Sequence, residues 1–131
     1  MRIKSFIVVK VIVISVLFSC ANSENFKLDL LSNDKEKIIK ASYELGEIRD
    51  TTSVKNLLNK ALDPRITHNL KFYGSSVNYS KLIALQKISN NAYTEKINQH
   101  QVDTIATIFF RDWAIKNKYL KNEAEVDINY Y

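Results

Sequence analysis

Residues 34–64 read DKEKIIKASYELGEIRDTTSVKNLLNKALDP, and the spacing of their apolar side chains decides the fold. Ile38, Ala41, Ser42, Leu45 and Ile48 recur at helical intervals, and Ile39 widens the stripe. Asp34 (or Asn33) offers an N-cap oxygen, and Glu36 puts negative charge in the first turn, where unpaired N–H groups point. Arg49-Asp50-Thr51-Thr52 breaks the period. Ser53 supplies the next cap. Val54, Leu57, Leu58, Ala61 and Leu62 then stand at i, i+3, i+4, i+7 and i+8, which predicts a one-sided helix of about three turns. Asp63-Pro64 closes it, because the residue before proline is pushed out of the helical region. Two antiparallel helices joined by a few residues form an αα-hairpin.

Downstream, residues 63–76 have no clear period. Gly74 marks a turn, and Ser75 or Ser76 caps a third helix from about Val77 to Ile88, with Leu82, Leu85 and Ile88 inward. Ser89-Asn90-Asn91 ends it, since Asn tolerates the left-handed cap conformation. After a polar connection, Val102, Ile105, Ala106, Phe109, Trp113 and Leu120 line one stripe and Ile108 and Ile115 a second. That pattern predicts a long helix over residues 102–120 packed on two sides. Residues 122–131 read as a flexible acidic tail. With only 2 Gly and 1 Pro in 131 residues, a turn-rich sandwich or barrel is excluded in favour of an all-α chain.

The first twenty residues belong to a different category. A positive start, an apolar run from Phe6 to Phe18 broken by Lys10, and Ser19-Cys20 fit a secretory signal, whose apolar core spans roughly 7–15 residues. Polar Asn22, Ser23 and Glu24 follow too soon for the ~20 apolar residues of a spanning helix. Leu17-Phe18-Ser19-Cys20 resembles the lipobox of bacterial lipoproteins. The resemblance implies removal of residues 1–19 as a lipoprotein signal peptide and diacylglyceryl attachment to the Cys20 sulfur. Residues 20–27 would be a lipidated tether and residues 28–121 the folded domain. An uncleaved anchor and an ordinary signal are the alternatives. The expected location is the cell membrane or outer membrane, lipid-anchored and outside the cytoplasm. Of the 19 Lys and Arg, Arg2, Lys4 and Lys10 lie in the leader, which leaves 16 against 14 acidic groups. A surplus that small gives no argument for a nucleic-acid partner.

The segment Lys40 to Asp50, with Val54-Lys55-Asn56-Leu57-Leu58 and Leu62-Asp63-Pro64, resembles the short HEAT-like repeat of the phycobilisome-lyase type. A degraded second copy begins at Leu82-Ile83-Ala84-Leu85-Gln86-Lys87-Ile88, where Leu85 and Ile88 register with Leu45 and Ile48 and Gln86 replaces Gly46. The resemblance implies a short α-solenoid of stacked antiparallel helix pairs, with residues 102–120 as a C-terminal capping helix. Gly46 would then allow close helix approach near a turn, against a cost of about 1 kcal/mol in a helix interior. The lyase activity of some relatives does not transfer, because nothing here matches a chromophore-handling site.

Chemistry-bearing motifs are sparse. His68 and His100 lie in separate polar loops without further ligands at metal spacing, so no metal and no cofactor is expected. Asp103, Asp112 and Glu47 read as cap and surface charges, which leaves no catalytic residue and no expectation of an enzyme. One segment mixes basic and aromatic groups as interface hot spots do: Arg65, His68, Lys71, Phe72, Tyr73 and Tyr79. It is either a partner-binding loop or a plug between helix pairs. The expected role is a lipid-anchored scaffold or adaptor that docks an envelope protein. The alternative is a structural or inhibitory, immunity-type lipoprotein, with an enzyme a distant third.

Overall fold

Asp34 fixes where the main helix starts: its carboxylate accepts the Glu36 N–H at 2.9 Å. In the computed structural model, which describes residues 22–131, that helix is one of five among the described residues. They are α1 (residues 22–30), α2 (Lys35–Glu47), α3 (Val54–Leu58), α4 (Val77–Ile88) and α5 (Thr104–Lys116). The described chain is all-helical; the only β-type pairing within it is an isolated antiparallel bridge between Ile66 and Ser76. The expected signal, the expected cleavage point and Cys20, the expected site of lipid attachment, lie outside the described residues.

Helix α2 buries Ile38, Ile39, Ala41, Ser42, Leu45 and Gly46, the stripe the spacing predicts apart from Ile48, which is exposed. It lies beside α4 with the C-terminal ends together. Glu47 pairs with Lys87, Arg49 donates to the Asn90 side chain, and Tyr43 also meets Lys87. A Cβ on Gly46 would stand 2.9 Å from the Ala84 Cα. The missing methyl therefore sets how near the two helices come. Ser76 caps α4 by accepting the Tyr79 N–H at 2.9 Å. Asn90 and Asn91 take left-handed φ values of 54° and 62° beyond its end, as expected of asparagines there.

Four expectations change. Residues 22–27, expected to belong to a tether, are helical. α1 seats Leu30 in the core and leaves Leu28 and Leu31 outside. The helix after the Asp50 turn is shorter than the three turns expected. Asp50, not Ser53, caps the approach to it, accepting Thr52 N–H at 3.0 Å, and α3 stops at Leu58. The reason is tertiary: the N–H groups of Lys60 and Leu62 donate to the carbonyls of Asp127 and Ile128, at 2.6 and 2.9 Å. Those bonds replace continued helix. They also dock the expected flexible tail, whose Val126 joins the core with Ile128 packed against it.

The last helix also departs from its expected length and phase. α5 ends at Lys116, with Lys118 at φ 65°, and it is not packed on two sides: Ile105 is 76% exposed. The face turned inward carries Ala106, Thr107, Phe110 and Ala114. A polar seam sets this phase. Asn78, fully buried on α4, donates to the Ala61 carbonyl at 2.6 Å and to Thr107 Oγ1 at 3.1 Å, and accepts the Asp103 N–H at 2.9 Å. Buried polar groups must be paired. The seam therefore pulls Thr107 inward and turns Ile105 to solvent.

Gly46→Ala tests the α2–α4 contact. Overpacking costs about 1–3 kcal/mol, against about 1 kcal/mol gained in helix propensity. A net loss of about 1 kcal/mol in urea unfolding is expected, with an unchanged denaturant slope. A stabilised variant would show that the helices stand further apart.

Candidate functional site

The segment after α3 is anchored at both ends before it reaches solvent. The buried Asp63 carboxylate accepts Arg65 N–H at 3.0 Å and Arg65 Nη2 at 2.8 Å. Asn78 N–H donates to the Asp63 carbonyl at 3.0 Å. Thr67 N–H reaches the Ser75 carbonyl at 3.0 Å, and Gly74 N–H returns to the Thr67 carbonyl at 3.1 Å. Gly74 has φ 77°, a value only glycine adopts without strain. The buried Thr67 hydroxyl donates to the Glu36 carboxylate at 2.6 Å, and Lys35 Nζ donates to the Ile66 carbonyl at 2.9 Å. The loop is thereby tied to the start of α2, and its tip stands outward.

At that tip Leu70 is 94% exposed and Tyr73 67% exposed. Asn69 accepts the Lys71 N–H at 3.0 Å and closes a short turn over Leu70–Phe72. The His68 and Tyr73 rings lie 6.0 Å apart. Phe72 turns back onto α2, with its ring 5.5 Å from that of Tyr43. The Lys71 ammonium sits 4.9 Å from the Tyr43 centroid and 5.2 Å from that of Phe72, inside the range of cation–π attraction. Lys87 approaches the Tyr43 ring at 5.1 Å. Beneath these rings is a mainly apolar socket of about 80 Å³. Gly46 and Ala84 lie at its base with Ile39 and Ile83, and Tyr43, Phe72 and Tyr79 line it as well.

Of the six residues singled out by composition, the structure places Lys71, Phe72 and Tyr79 around this socket and His68 and Tyr73 on the exposed tip. Arg65 lies elsewhere. Its guanidinium is held by Asp63, by the Asn33 carbonyl at 2.8 Å and by the face of Tyr130 at 5.0 Å, so it braces the base of the loop. The loop is neither wholly a plug nor wholly free, because Thr67 and Phe72 pack while Leu70 and Tyr73 do not. Sequence reasoning missed Tyr43 and Lys87. The offset of 40 that aligns Leu45 with Leu85 also brings Glu47 to Lys87, and that register was the available signal.

The three carboxylates weighed as acid or base groups take structural places. Asp103 caps α5, accepting the Ala106 N–H at 2.9 Å; Asp112 meets Arg111 at 3.3 Å; Glu47 pairs with Lys87. His100 is exposed in the turn before α5. Among the described residues no cluster of His, Cys, Asp or Glu could hold a metal, and no helix is long and apolar enough to cross a membrane. A second cleft, of about 320 Å³, opens between Asn33, Lys60, Arg65 and Tyr130, with Asp63 and Asn59 in its lining. Near it Lys81 is 2% exposed and donates to the Asn59 carbonyl at 2.7 Å. Loss of hydration pushes its ammonium down to about 8; Asp63 works against this, and Arg65 and Lys60 add to it.

The chain matches no protein-family model, no curated protein and no solved structure.

The buried amine has a consequence for stability. In the unfolded chain Lys81 titrates near 10.5. Between about pH 8 and 10.5 the unfolded state therefore holds more protons than the folded state, and stability from this group rises with pH across that window. The difference in unfolding free energy between wild type and Lys81→Met should move in favour of wild type from pH 8 to pH 10. A difference that stays flat would place the ammonium in water.

Proposed function

We propose that this protein is an exported lipoprotein, tethered to the cell membrane or outer membrane through Cys20. Its small HEAT-like domain serves as a scaffold that docks an envelope protein through the 65–79 face. The observation that carries the docking role is the loop tip. Leu70 and Tyr73 expose large apolar surfaces on a hydrogen-bonded frame, beside a lysine ordered over two rings. Exposed apolar groups held rigidly lose little conformational freedom on binding. A segment that served only to fill a gap would bury them.

The HEAT-like part of the reading is supported by register. α2 and α4 lie side by side, Gly46 against Ala84 and Glu47 against Lys87, as equivalent helices of neighbouring repeats do. The base of the loop is also held apart from the start of α1. Ser23 donates to Asp50, and Lys27 lies 3.6 Å from it, so the start of α1 is held near the C-terminal end of α2. The loop is fastened at the opposite end, through Lys35 and Glu36. At ~1.5 Å per helical residue the two ends are separated by roughly 20 Å. No catalytic group, cofactor, metal or nucleic acid enters this role.

Two measurements test it. Affinity capture with the full-length protein should recover an envelope protein that is lost when Leu70, Lys71 and Tyr73 are all replaced by alanine. An unchanged set of captured proteins would dispose of the docking surface. Arg65 is left intact in that variant, because its removal would strand the buried Asp63 carboxylate, a destabilisation of about 3–5 kcal/mol. Radiolabelled palmitate should enter the wild type and not Cys20→Ser; label retained in the variant would reject the anchor.

A further inference from the structure

We propose that the socket between α2 and α4 receives one branched aliphatic side chain of an acidic peptide, with Lys37, Lys40 and Lys71 facing the carboxylates that flank it. This rests on the docking role above and specifies the chemistry of the partner. Volume decides what enters. An enclosed apolar cavity of ~150 Å³ takes benzene, whereas this open socket offers about 80 Å³, a better match for a Val- or Leu-sized group than for a ring. The base can accept it because Gly46 has no side chain and Ala84 only a methyl.

Charge decides what surrounds it. Phe72 separates the socket from a second depression of about 190 Å³ bordered by Glu36, Lys37, Lys40 and Asn69. Around the two depressions Glu47 is matched by Lys87, and Glu36 is held by the Thr67 hydroxyl. Among the described residues Lys37, Lys40 and Lys71 have no carboxylate within ion-pair distance. Lys37, Lys40 and Lys71 against the Glu36 carboxylate thus leave a net positive charge of two on one face of a domain whose total charge is near balance. Such a face steers and orients an acidic segment. Lys71 is already ordered by the Tyr43 and Phe72 rings, which reduces the cost of engaging it.

The test is fluorescence anisotropy of the full-length protein in detergent micelles with labelled heptapeptides of glutamate and aspartate around a central leucine. The comparison peptides carry glycine in place of the leucine, or lysines in place of the acids. The acidic leucine peptide should bind about tenfold or more tightly than the glycine peptide, and the basic peptide should not bind. Ser80→Leu, which fills the socket, should remove the preference for leucine, and Lys71→Glu should weaken binding and flatten its salt dependence. Should Ser80→Leu fail to fold, the leucine–glycine comparison on the wild type still decides. Equal binding of both acidic peptides, or binding only to phosphatidylglycerol vesicles, overturns the proposal. Absence of peptide binding while the loop-dependent captured protein persists overturns this inference and leaves the docking role standing.

Discussion

The separation of α2 and α4 is set where Gly46 meets Ala84, and the other features of the α2 face depend on it. A methyl on residue 46 would stand 2.9 Å from backbone, closer than side-chain carbons come in folded proteins. With that methyl absent, Leu45 and Leu85 both reach zero exposure in one shared core. The same closeness aligns Glu47 with Lys87 and leaves a shallow gap above the two small residues. Tyr43, Phe72 and Tyr79 surround that gap without filling it. A packing constraint within the core thereby becomes a feature of the surface.

Polar groups do the rest of the positioning. Asn78 joins three elements through the Ala61 carbonyl, the Asp103 N–H and the Thr107 hydroxyl. Asp63 holds Arg65 with its carboxylate and Asn78 with its carbonyl. None of the buried side-chain nitrogen or oxygen atoms in the described residues lacks a partner. Such bonds are worth little net individually, yet each costs about 1–3 kcal/mol if one side is removed. Their effect is to select one arrangement of the loop and α5 among several that would bury similar apolar area.

The buried stripe of α2, the Asp34 and Ser76 caps and the Asn90-Asn91 stop were legible in the sequence. Each is encoded locally, by a period or a side chain acting within a few residues. What was not legible depends on partners distant in the chain. α3 is short because carbonyls more than sixty residues away compete for its N–H groups. The phase of α5 follows a buried asparagine that a count of apolar residues treats as surface. Val126 and Ile128 look incidental in an acidic tail, yet they close the core. The site was half legible: composition found the loop, but Tyr43 and Lys87 enter only through the register of two helices, and Arg65 leaves it for a buried carboxylate.

The contact between Gly46 and Ala84 is open to direct observation in solution. A nuclear Overhauser measurement on isotopically labelled full-length protein in micelles should show a strong cross-peak between the Gly46 α-protons and the Ala84 methyl group, together with contacts from Tyr43 ring protons to Lys87. A spectrum with Gly46 fully assigned and no cross-peak to Ala84 would separate the two helices and remove the basis for the shared core, the register and the socket alike.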